Sequence, residues 1–87
     1  MNPQRLVDMA NDIAANLAAN PDRAAAVETM VVHLQRFWEP GMRQAIVRHL
    51  HAGGDGLGPL ARDAIAALSS RLEQSAPPTA RGASDAG

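Results

Sequence analysis

The chain has 87 residues, with eight arginines and no lysine against nine acidic residues, and it has no cysteine. A length of this order makes one domain and not two, and the near balance of charge, formally −1, lacks the basic footprint of a DNA- or RNA-binding protein. The missing cysteine removes disulfides, thiolate zinc sites and iron–sulfur ligation, which suits a reducing intracellular compartment.

Leu6, Met9, Ala10, Ile13, Ala14 and Leu17 recur at the spacing of one helical stripe. Asn2 is placed to cap this segment and Pro3 to take its first position, so the spacing predicts a helix over about residues 3–19. Asp8, Asn11 and Asp12 interrupt the apolar character that a signal peptide would need. A second helix follows over about 21–38, with Asn20 as the expected cap and Pro21 at its start. Its stripe holds Val27, Met30, Val31, Leu34 and the adjacent Phe37 and Trp38, the only Phe and Trp in the chain. It must end near Trp38, because Glu39 precedes Pro40 and a residue before proline is pushed out of helical geometry.

A third helix is expected over about 40–51, with Met42, Ala45, Ile46, His49 and Leu50 on one face, stopped by Gly53 and Gly54. Pro59 opens a fourth over about 59–73, where Leu60, Ala61, Ala64, Ile65, Leu68 and Leu72 keep helical spacing. The stretch QSAPPTARGASDAG, residues 74–87, is small and polar and reads as a disordered tail. No apolar run approaches the roughly 18 residues of a membrane span, which points to a cytoplasmic protein.

The fold class is therefore all-α: residues 1–73 form a small compact bundle of four short helices, in which short connections favour antiparallel neighbours. Burial and ordering entropy nearly cancel in a chain of this size, so a partner or self-association of the isolated chain would add stability. Phe37, Trp38 and Met42 crowd one corner of such a bundle, which leaves part of that cluster for a partner.

Candidates for chemistry are sparse. His33, His49 and His51 lack the i, i+4 spacing of a helical zinc clamp and read as core-edge histidines. The carboxylates are scattered singly, and the serines have no neighbouring base or oxyanion hole in the sequence. GGDGLG, residues 53–58, lacks the Lys-Ser/Thr of a phosphate-binding loop and follows a helix where a dinucleotide loop would follow a strand. The second and third helices have too few base-reading side chains for a helix-turn-helix. Arginines beside a tryptophan suit a protein interface better.

The order of residues goes further. MANDIA at 9–14, HLQRFWEPGMR at 33–43, His49 and GGDGLGPL at 53–60 together resemble the delta subunit of NAD-dependent, molybdenum-containing formate dehydrogenase. One position departs: Gly41 stands where the family pattern suggests a bulkier, often basic residue. The resemblance implies a non-catalytic accessory subunit of a cytoplasmic complex that converts formate and NAD to carbon dioxide and NADH, supporting its assembly or stability. In that scheme the alpha subunit carries a molybdenum or tungsten bis-pterin and iron–sulfur clusters, the beta subunit holds FMN and reduces NAD, and the gamma subunit carries a further cluster. The delta chain binds no cofactor, metal, nucleic acid or membrane. The interface implied for it comprises Phe37, Trp38, Pro40, Met42, Arg43 and His49 with the loop residues Gly54, Gly56 and Leu57, Phe37 turned inward and Trp38 shared with the partner. A free helical chaperone or regulator of the immature catalytic subunit is the alternative.

Overall fold

In the computed structural model, which describes residues 2–74, Asn2 starts the first helix as its sequence position requires. Its Oδ1 accepts from the Gln4 N–H at 2.9 Å, and α1 runs Pro3–Leu17. The second helix starts later than expected. Asp22, not Asn20, is its cap, accepting from the Ala25 N–H at 3.2 Å, while Asn20 closes a turn by accepting from the Asp22 N–H at 2.9 Å. With a capping side chain on each side of Pro21, the carboxylate takes the positively polarised helix end, where it is more stabilising. α2 is thus Arg23–Phe37.

α3 spans Pro40–His51 and α4 Pro59–Gln74. Gln74 belongs to α4, and the rest of the expected tail lies outside the described residues. Among the described residues there are four helices and no strand.

The core lies between α4 and the three other helices, all of which α4 touches, α2 most extensively. Ala61 and Ala64 on α4 are fully buried beside Ile65 and Leu68, two small side chains followed by two large ones along the buried face. The short connection between α2 and α3 does not lay those helices side by side. They barely touch, and α4 packs against both. This corrects the expectation that each short connection pairs sequence neighbours. Arg23–Asp63 (2.7 Å) and Arg71–Glu28 bridge α2 to α4. The first pair is more than half exposed, so it contributes no more than about 1 kcal/mol.

Candidate functional site

The corner between α2 and α3 is made by two extended residues. Trp38 leaves helical geometry at φ −88°, ψ 139°, and Glu39 remains extended at φ −69°, ψ 154° ahead of Pro40. The last carbonyls of α2 then lack helical donors. Arg43, one turn into α3, supplies them. Its Nη1 donates to the carbonyls of Gln35 at 2.9 Å and Trp38 at 2.6 Å, with a longer contact of 3.4 Å to that of Leu34. A cation there also complements the negative end of the helix dipole. Arg43→Ala should cost about 2 kcal/mol in thermal or denaturant unfolding, and Arg43→Lys should recover only part, because the lysine nitrogen stops about one bond short of the position Nη1 reaches.

The expected orientation of the two aromatic residues is reversed. Trp38 is 5 % exposed and belongs to the core, whereas Phe37 is 71 % exposed. Phe37 is still helical and lies on the flank of the apolar stripe, beyond the cover of a neighbouring helix. Trp38 comes after the helical geometry has ended, and its indole is packed into the core. The imidazole of His33, one turn before Phe37, packs against its ring in a tilted arrangement, with centroids 4.8 Å apart and planes at 44°. Pro40 is exposed at the start of α3, and Met42 is half-buried against the core.

The loop after α3 is held from three helices. Gly53 N–H donates to the Leu50 carbonyl and Gly54 N–H to that of His49, the paired bonds of a glycine-terminated helix. Every carbonyl from Gly53 to Leu57 accepts from a side chain. Arg62 of α4 donates to Gly53 and Gly54 at 3.0 Å each and to Leu57 at 3.3 Å. His49 Nε2 lies 2.8 Å from the Asp55 carbonyl, which can only accept, so this nitrogen carries the proton. Asn11 of α1 uses both ends of its amide, donating to the Gly56 carbonyl and accepting from the Gly58 N–H, each at 2.9 Å. Gly54 (φ 66°) and Gly56 (φ 87°) have conformations that favour glycine. Leu57, 6 % exposed, joins the core from the middle of this loop.

A family model, the NADH-dependent formate dehydrogenase delta subunit FdsD, matches residues 5–65. The chain belongs to this family. It is a formate dehydrogenase delta subunit and hence a component of an oxidoreductase complex. No curated protein and no solved structure matches it.

The matched segment holds the whole corner and the whole loop clamp. Of the residues expected at the interface, Trp38, Gly54 and Leu57 are buried within the delta chain itself, and Arg43 and His49 are half-buried with hydrogen bonds to its own backbone. Gly56 is exposed, though a Cβ there would stand 3.3 Å from Val7. That leaves Phe37 and Pro40 displayed, with Met42 half-accessible. Phe37 is the single exposed large apolar side chain among the described residues. Arg62 and the role of Asn11 had escaped the sequence reading. An arginine one turn into a helix that follows a glycine-rich loop is the signal that could have found the first. The expected departure at Gly41 meets no packing constraint, since a Cβ there meets nothing within 4 Å.

The histidines do not converge. His33 packs tilted against Phe37, His49 holds the loop, and His51 Nε2 lies 3.4 Å from Ser69 Oγ, long for a hydrogen bond. Among the described residues no three of His, Asp and Glu form a group that could hold a metal, and none of their helices is long and apolar enough to cross a membrane. At the far end of α2 from Phe37, a cleft of about 250 Å³ opens between the end of α1 and the starts of α2 and α4. Leu17, Pro21, Ala26 and Leu60 form its apolar wall, with Asn20 and Arg23 at its rim.

Proposed function

We propose that this delta chain is a non-catalytic accessory subunit of a cytoplasmic NAD-dependent formate dehydrogenase, and that it supports assembly or stability of the formate-oxidising enzyme by docking on its larger subunits. The molybdenum or tungsten bis-pterin, iron–sulfur clusters, FMN and NAD site belong to those alpha, beta and gamma partners. This chain has neither cysteine nor a cluster of ligands among its described residues with which to hold them. The observation that carries the reading is the isolation of Phe37. Leu34, Trp38, Leu57 and Leu60 of the family-like motifs are buried and Asn11, Arg43 and His49 bond the chain's own backbone, while this one ring stands 71 % exposed as the single exposed large apolar side chain among the described residues. Burying such a ring in a partner contributes about 1.5–3 kcal/mol, and binding only the native partner shifts that partner's folding equilibrium by mass action. Trp38 and Arg43 act beneath this contact by fixing the corner, while His49, Gly54, Gly56 and Leu57 build the loop at the other end of α3.

Co-expression of the full chain with the larger subunits tests this. The wild-type chain should co-purify in fixed stoichiometry with the active complex through gel filtration. Phe37→Ala should weaken its retention by roughly thirtyfold or more, equivalent to about 2 kcal/mol, with its helical circular dichroism unchanged. Undiminished retention of Phe37→Ala would overturn the anchor. Recovery only with cofactor-free enzyme would instead identify an assembly chaperone.

A further inference from the structure

We propose that Asp55–Gly56 is a latent isoaspartate site, a pair of residues open to succinimide chemistry that the turn around it holds back, with His49 as the latch. The inference concerns the free chain and stands independently of docking to the larger subunits. Asp55 and Gly56 are both exposed in the loop between α3 and α4. Gly56 has no Cβ to shield its nitrogen, and its N–H donates to nothing among the described residues. In the reaction this nitrogen attacks Cγ of the Asp55 carboxyl group. An N–Cγ bond forms, and one carboxyl oxygen leaves as water with the carboxyl proton and the proton of the nitrogen. Water then opens the five-membered imide. Cleavage of the N–Cγ bond restores aspartate, whereas cleavage of the original peptide bond leaves the chain running through Cγ, one methylene longer, as isoaspartate.

The backbone opposes ring closure. Leu57 N–H donates to the Gly54 carbonyl at 3.0 Å, Gly56 has φ 87°, and among the described residues only glycines have positive φ, so that of Asp55 is negative. This combination is a type II turn, in which ψ of Asp55 is about +120°. Closure needs the Gly56 nitrogen eclipsed with the Asp55 Cβ about the Cα–C bond, about a third of a turn away from the type II value. The Asp55–Gly56 peptide must therefore rotate as a plate before the ring can form. His49 Nε2 holds the carbonyl oxygen of that same plate at 2.8 Å. The peptides on either side are fixed as well, Gly56 by Asn11 Nδ2 at 2.9 Å and Gly54 by Arg62 Nη2 at 3.0 Å. The extra methylene of isoaspartate lengthens the turn between Gly54 and Leu57, and the buried Leu57 is the core residue it displaces.

Ageing of the full chain at physiological temperature and pH, followed by peptide mapping with electron-transfer dissociation, reads isoaspartate at position 55 directly. The folded wild-type chain should form it at least about tenfold more slowly than the same chain unfolded in urea, because more than one hydrogen bond must yield. His49→Ala should raise the folded-state rate by roughly fivefold, the population factor of one lost hydrogen bond, with circular dichroism unchanged. Gln44→Ala, exposed on the same helix, should leave the rate as it is. Asp55→Glu, whose imide ring would need six members, should give no such product. Equal rates in the folded and urea-unfolded wild-type chain, or no isoaspartate in either, would overturn the proposal without recourse to any variant. A folded His49→Ala chain that ages no faster than wild type would overturn the latch.

Discussion

Trp38→Ala lowers the stability of the domain by about 3–5 kcal/mol, the usual cost of deleting a large aromatic ring from a core. Trp38 is 5 % exposed and lies in one continuous cluster with Leu34, Ile46 and Leu68, so its loss opens a void where α2 ends. Its carbonyl still accepts from Arg43 in the variant, which isolates the contribution of the indole. For a domain of this size 1 kcal/mol corresponds to about 4–8 °C in Tm. Thermal circular dichroism should therefore show a fall of more than about 12 °C, or an unfolded chain. Phe37→Ala, one residue away, should move Tm by no more than a few degrees, because most of that ring is already in water. Equal shifts in the two variants would show that the burial contrast does not govern stability.

The same pair of residues shows where a single sequence is legible. Helical spacing puts both Phe37 and Trp38 within reach of the stripe that ends at Leu34, one on each flank. Which of them enters the core depends on where the backbone leaves the helix and on which neighbours cover the two flanks, and the second is a property of the assembled bundle. The helix starts were legible where one cap candidate stood alone, as at Asn2. They were not where Asn20 and Asp22 competed across Pro21. Gly53 and Gly54 could be read as a helix stop because the signal is local. The reason for the rest of GGDGLG could not, because its clamp comes from Asn11, 45 residues away from Gly56, and from Arg62 on the next helix. Order of residues gave the family without giving this reason: much of what identifies the family positions backbone, and a small part remains displayed.

Gly41, Gly53 and Gly54 differ in a way that stability measurements resolve. At Gly41 the helix is ordinary and a Cβ meets nothing within 4 Å, so Gly41→Ala should stabilise the domain by about 0.4–1 kcal/mol through the unfolded state. At Gly53, φ 126° strains any other residue while the space is open, so Gly53→Ala should cost about 1–2 kcal/mol of backbone strain alone. At Gly54, φ 66° adds similar strain, but here a Cβ would also stand 2.9 Å from Arg62 Nη1 and 3.2 Å from Leu50 Cδ1. Arg62 must withdraw, and with it go the charge-assisted bonds to the carbonyls of Gly53, Gly54 and Leu57. Gly54→Ala should therefore cost about 2–4 kcal/mol in urea unfolding, clearly more than Gly53→Ala. The decisive comparison is a double-mutant cycle. With Arg62→Ala already in place the displaced guanidinium is gone, so adding Gly54→Ala should cost clearly less than it does in the wild-type background, leaving backbone strain and the Leu50 contact. If its cost stays undiminished in that background, Arg62 is not what the glycine makes room for, and strain at φ 66° with the Leu50 contact explains the residue.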